Sequence, residues 1–109
     1  MSEYRPDNWV LVKITGTDPH YRVFGSWRGG YAEGDSWRLN SGVTRVEEDE
    51  NYFYFYGYTG SCYVCGKNSY GYLGYYNSGV ISNYCDKSGG KMSIIADMPD
   101  VMKMDWIIS

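Results

Sequence analysis

The most constraining stretch of this chain is Tyr52-Phe53-Tyr54-Phe55-Tyr56-Gly57-Tyr58. In an extended strand, successive side chains point to opposite faces. Phe53 and Phe55 then share one face, and Tyr52, Tyr54, Tyr56 and Tyr58 share the other. Phenylalanine has no polar atom, so its face belongs in a core. Tyrosine carries a hydroxyl that needs water or a partner, so its face is half-wet. The stretch therefore predicts a strand with one buried side.

Other segments extend this reading into a series of short strands. Thr59-Gly60 is a turn after which residues 61–64 pair back. Residues 9–15 form a first strand, with Val10, Val12 and Ile14 toward the core and Trp9 and Leu11 on the opposite side. Gly16-Thr17-Asp18-Pro19 is a strong turn signal, and residues 21–27 return as the second strand of a hairpin. Gly29-Gly30 breaks that strand, and Glu33-Gly34-Asp35 turns again. Residues 36–40 and 43–46 are a third and fourth strand, followed by a solvated acidic run, Glu47-Glu48-Asp49-Glu50. Residues 70–76 read equally as a strand or an irregular loop, because Gly71 and Gly74 interrupt them. Val80-Ile81 is a short apolar step, Ser88-Gly89-Gly90 a turn, and residues 92–96 a strand. Asp97 and Pro99 suit a helix start, with one or two turns over 101–106. Trp106-Ile107-Ile108 is an apolar end that docks on the sheet.

Strands about every ten residues, with glycine turns between them, are the spacing of a small barrel or sandwich. The expected fold is all-β: a single small antiparallel β-barrel or sandwich-like sheet with at most a short C-terminal helix. Residues 1–8, polar and containing Pro6, are expected as a flexible lead-in. Residues 9–109 are expected as one β-rich domain, since 109 residues suffice to bury a core.

Charge narrows the partners. The formal net charge of −3 gives no global basic field to draw the chain onto nucleic acid. No apolar run is long enough to span a bilayer and no signal peptide is visible, so no membrane partner and an intracellular location are expected. Three cysteines are an odd count, which argues against a closed disulfide framework.

The candidate sites are few. Ser-Trp-Arg occurs twice, at Ser26–Arg28 and Ser36–Arg38. If the two strands pair, Trp27-Arg28 and Trp37-Arg38 form one partner-binding patch, because Trp and Arg are enriched at binding hot spots. The plainer alternative is an indole core with solvated arginines. Tyr52, Tyr54 and Tyr56 extend the patch, since tyrosine gives large contact area at little entropic cost. The same row is able to stack the bases of a single strand, although such platforms sit in positive grooves and this one has an acidic flank. Cys62-Tyr63-Val64-Cys65-Gly66 has the form of a metal knuckle, with Cys85 and His20 as further ligands. A second C-x-x-C is missing, and residues three apart in a strand face opposite ways. No metal and no cofactor are therefore expected. The spacing supports no catalytic pairing of His20 with a cysteine, and no phosphate-binding glycine loop or nucleophile elbow is present. The chain is read as a non-enzyme.

Asn8-Trp9-Val10-Leu11-Val12-Lys13-Ile14, Asp18-Pro19-His20-Tyr21-Arg22-Val23 and Gly34-Asp35-Ser36-Trp37-Arg38-Leu39-Asn40-Ser41-Gly42, with Gly60-Ser61-Cys62-Tyr63 and Ser69-Tyr70-Gly71, carry a resemblance over most of the first 75 residues. The chain resembles small accessory proteins of tailed bacteriophages. The resemblance brings no catalytic residue or cofactor with it. It implies a protein of the infected bacterium's cytoplasm that binds and modulates or inhibits a host protein. A single-stranded nucleic-acid-binding domain, with or without a zinc knuckle, is the second expectation.

Overall fold

The computed structural model describes residues 2–16, 18–27, 36–104 and 106. Among the described residues, eight strands run in chain order: β1 (Glu3–Tyr4), β2 (Asn8–Ile14), β3 (His20–Trp27), β4 (Ser36–Leu39), β5 (Val43–Glu48), β6 (Tyr52–Gly57), β7 (Cys62–Gly66) and β8 (Met92–Ile94). Helix α1 (Tyr75–Lys87) lies between β7 and β8, and a 3-10 turn spans Val101–Lys103. The strands make two four-stranded sheets, ordered β1-β7-β6-β5 and β4-β3-β2-β8. Among the described residues the framework is all-β and sandwich-like, with no closed barrel.

The aromatic strand is placed as its alternation dictates. On β6, Phe53 and Phe55 are buried, whereas Tyr52 is exposed and Tyr54 and Tyr56 are half-buried. The core between the sheets holds both phenylalanines with Trp9, Leu11, Val23, Val43, Tyr63, Cys65 and Val101. Trp9 and Leu11, expected on the side opposite the core, therefore face the inter-sheet core. Their neighbours Val10 and Val12 fill a second core with Phe24, Leu73 and Ile81 on the other side of the same sheet. The run Trp9-Val10-Leu11-Val12 is continuously apolar because β2 is buried on both faces. Helix α1 provides the cover on that second side through Ile81.

The β2–β3 hairpin forms as expected, paired from Asn8 opposite Ser26 to Ile14 opposite His20. β7 returns antiparallel along β6, and β8 adds to β2. Two expectations are corrected and one open reading is decided. Part of the supposed lead-in is ordered: Glu3 and Tyr4 run parallel to Cys62 and Tyr63, and Pro6 is buried. The 70–76 stretch supplies only a single bridge, Tyr70 to Trp9, before α1 begins at Tyr75. Asp97 does not cap a helix; the 3-10 turn begins at Val101 after Asp100, without a side-chain cap. Trp106 does dock inward, its ring 5.6 Å from Phe55 and 5.3 Å from Tyr21. The expected features at Thr17, Gly29-Gly30, Glu33-Gly34-Asp35 and Ile107-Ile108 lie outside the described residues.

Candidate functional site

The outer face of the β1-β7-β6-β5 sheet carries the tyrosine row. Opposed residues in an antiparallel pair share a face. Register therefore sets Tyr54 beside Glu47 and Val64, and Tyr56 beside Arg45 and Cys62. Glu3, opposite Cys62, adds an acidic group from β1, and Arg5 pairs with it at 3.1 Å. The Arg45 guanidinium stacks on the Tyr56 ring, 4.2 Å from its centre, and lies 3.9 Å from Glu47. The Tyr54 hydroxyl donates to the Asp49 carboxylate, which also accepts the backbone N–H groups of Asn51 and Tyr52 at 2.9 and 2.8 Å. These bonds hold the Asp49 carboxyl below its ordinary range, the phenol contributing most and the two N–H groups next. The same pairing raises the Tyr54 phenol, and the Glu47 carboxylate raises that of Tyr56. The face thus presents flat rings whose hydroxyls are partly fixed, among two cations and three carboxylates. Val64 and Cys62 point outward beneath this layer and are nevertheless buried.

The two Trp–Arg couples do not make one patch. Trp37 lies opposite Ser26, so Trp27, one residue on, projects from the other face of the sheet. Trp37 stacks on Phe24 with centroids 5.5 Å apart and meets Tyr84 of α1 edge-on at 5.6 Å. It is part of the helix-side core. Trp27 donates its indole N–H to the Arg5 carbonyl at 2.9 Å. Arg38 shares the face of Gly25 and Trp27, and its guanidinium lies 4.3 Å from the Tyr4 ring centre. Arg28 lies outside the described residues.

The proposed metal ligands do not converge. Cys65 is opposite Phe53 and points inward, while Cys62 is opposite Tyr56 and points outward. Cys85 is on α1, packed against the second core. His20 opens β3 rather than sitting in a turn, and its ring joins the Asp18 carbonyl at 2.6 Å and the Arg22 Nε–H at 2.9 Å. Among the described residues no group of three His, Cys, Asp or Glu could hold a metal ion. Burial pushes the Cys62 thiol up and the Cys65 thiol well up, opposite to what a thiolate ligand or nucleophile needs.

Arg38 and Tyr63 were not paired by the sequence reading. Tyr63 lies opposite Phe55 and beneath Tyr4, their ring centres 5.1 Å apart. Burial is the main cause that drives the Tyr63 phenol up to about 12. A folded-state value above the ordinary 10 adds stability that is complete below pH 10 and is lost as the pH rises toward 12. Replacing Tyr63 by Phe is expected to remove this term. Over that window, wild-type minus variant stability should fall as the pH rises, at its steepest by ~1 kcal/mol per pH unit. Denaturant melts at pH 9.5 and 11.5 measure it, and a difference that stays flat with pH would refute the assignment.

No helix among the described residues is long and apolar enough to cross a membrane. Comparison of the chain with protein-family models, with curated proteins and with solved structures gives no match.

Proposed function

We propose that this chain is a non-enzymatic protein-binding module whose contact face is the outer surface around Tyr52, Tyr54 and Tyr56. The observation that carries the reading is the chemistry of that face. Tyrosine rings are held in a row by a rigid strand, so little side-chain entropy is lost on contact. Arg5 and Arg45 are each matched by a carboxylate, and Asp49 adds a further negative charge. A surface of both signs suits another protein surface. A single-strand platform needs a net positive track for phosphates, which this face does not offer, so the nucleic-acid reading ranks second. The non-enzymatic reading draws support from His20, both of whose ring nitrogens are engaged, and from thiols that burial keeps protonated.

The partner we propose is a bacterial protein modulated or inhibited by a phage-encoded factor in the cytoplasm of the infected cell. That origin rests on the sequence resemblance alone. The test compares wild type with the double variant Tyr52→Ser/Tyr56→Ser as immobilised baits in bacterial lysate. A protein held by wild type is then purified and titrated against both. The expected loss is more than tenfold in Kd, equivalent to ~1.4 kcal/mol. Equal retention by bait and variant would exclude this face.

A further inference from the structure

An edge strand carries outer backbone N–H and C=O groups that another strand is able to pair with. The edge strands are β1 and β5 in one sheet and β4 and β8 in the other. β1 has two residues, β8 three and β4 four, whereas β5 has six. β5 is thus the longest edge among the described residues, and no backbone bond from any of them reaches its outer side. Val101 and Trp106 meet this part of the sheet from its inner face, through the core. Arg45 and Glu47 stand on the outer face, their side chains 62% and 54% exposed.

The bonds to β6 determine which groups point outward. In an antiparallel strand a residue sends its N–H and C=O to the same side, and successive residues alternate sides. The Asp49 N–H donates to the Tyr52 carbonyl at 3.0 Å, so these two opposed residues are a bonded pair. Glu47, two residues earlier and opposite Tyr54, is then bonded to β6 as well. Val46 and Glu48 alternate with them, opposite Phe55 and Phe53, and direct their N–H and C=O to the open edge. A register shift between Val43 and Arg45 ends the regular part of this edge at its other side.

We propose that β5 pairs antiparallel with β5 of a second copy of this chain, about a two-fold axis through Val46. Val46 then exchanges both of its outward hydrogen bonds with Val46 of the second copy. Arg45 lies opposite Glu47 of the second copy, and Glu47 opposite its Arg45. Opposed residues share a face, and opposite charges stabilise such pairs. Arg45 and Glu47 are bonded inward, so across the edge they form a non-hydrogen-bonded pair, the type with the closer side chains. Within one chain the same two groups meet only at 3.9 Å. The neighbouring registers fail on charge. An axis through Arg45, Glu47 or Glu48 sets that residue against its own copy, and like charges directly opposed are destabilising. A row of one sign would keep every strand away, whereas Arg45-Val46-Glu47 is complementary to itself about its centre. Glu48 then meets Thr44, which carries no charge. Contact along one strand buries little area, so the dimer is weak and depends on concentration. The two copies form one continuous sheet with both outer faces on the same side. This pairing does not rest on the reading of the tyrosine face and is tested apart from it.

The experiment is analytical sedimentation of the intact chain from micromolar to millimolar concentration. It compares wild type, Arg45→Glu, Glu47→Arg and an equimolar mixture of the two variants. Wild type is expected to pass from monomer to dimer as the concentration rises. Each variant alone should dimerise at least tenfold more weakly, because like charges then face each other twice across the axis. In the mixture, both contacts of an unlike pair join opposite charges, so association should return to within threefold of wild type. Melting temperatures confirm that both variants fold, and a damaged fold would not recover on mixing. Amide exchange locates the axis: the Val46 N–H should exchange more slowly as the concentration rises, while that of Glu47, already bonded to β6, should not change. A wild type that stays monomeric at millimolar concentration, variants that dimerise as well as wild type, or a mixture no tighter than its components would overturn the proposal.

Discussion

Replacing Phe55 by alanine is expected to destabilise the protein by ~3–5 kcal/mol, whereas Tyr54→Ala should cost clearly less. Phe55 is fully buried and touches aromatic neighbours on several sides, at 5.2 Å from Trp9, 6.1 Å from Phe53 and 5.6 Å from Trp106. Its removal leaves a cavity between two sheets, whose hydrogen-bonded strands cannot easily close over it. Tyr54, one residue earlier, points outward and is half-buried. Its loss releases a bond to Asp49 at a surface where water replaces it. For a domain of this size, the Phe55 change corresponds to a fall in melting temperature of roughly 15 °C or more. Denaturant unfolding of the two variants side by side decides the matter. Equal losses would mean that the alternation does not separate core from surface.

The sequence carried most of the β framework because alternation and burial coincide there. Phe53 and Phe55 against Tyr52, Tyr54 and Tyr56 is a period of two with a polarity label on each residue, so the core face was legible. β2 shows how the same rule fails. Trp9, Val10, Leu11 and Val12 are all apolar, so period two assigns no face, and the strand is in fact buried on both. The strand alone does not reveal that a helix covers its second side. β1 was missed for a related reason: two residues paired in parallel to a strand nearly sixty positions away leave no periodic trace.

The sites were legible in type and not in geometry. Two Ser-Trp-Arg triplets look equivalent in sequence, yet the β3–β4 register sets Trp37 opposite Ser26 and so turns Trp27 and Trp37 to opposite faces. A one-residue difference in pairing decides this, and nothing local encodes it. The meeting of Arg38 with Tyr4 and Tyr63 was invisible for a stronger reason. Its residues come from β4, β1 and β7, and they meet only when the two sheets close. Asn40 gave one available signal, a polar residue directly after an amphipathic strand, but its role as a buried amide bonded to Val23 is tertiary.

Removing the Ile81 side chain is expected to cost ~2–5 kcal/mol and to loosen α1 before the sheets. The helix was not read from sequence because its composition is poor in helix formers and Gly79 interrupts it. Yet Asn77, Val80, Ile81, Tyr84 and Cys85 recur at helical spacing, and this stripe faces the sheet. Only Asn77 and Ile81 on it are fully buried. Asn77 donates from Nδ2 to the Ser26 hydroxyl and to the Ser36 carbonyl, both at 2.9 Å, and Ser26 in turn donates to the Leu73 carbonyl at 2.9 Å. One polar network and one apolar anchor, a turn apart, therefore hold α1 in place. With intrinsic helix stability low, docking is what keeps the segment folded. In Ile81→Ala, amides of α1 should exchange with solvent through a local opening, while those of β2 and β3 remain protected to the global limit. Asn77→Ala should do the same at ~1–3 kcal/mol, and the double variant should be less than additive because each change already undocks the same turn. Native-state hydrogen exchange reads all three. Helix amides that stay as protected as the strands in Ile81→Ala would show that α1 is held by something other than these two residues.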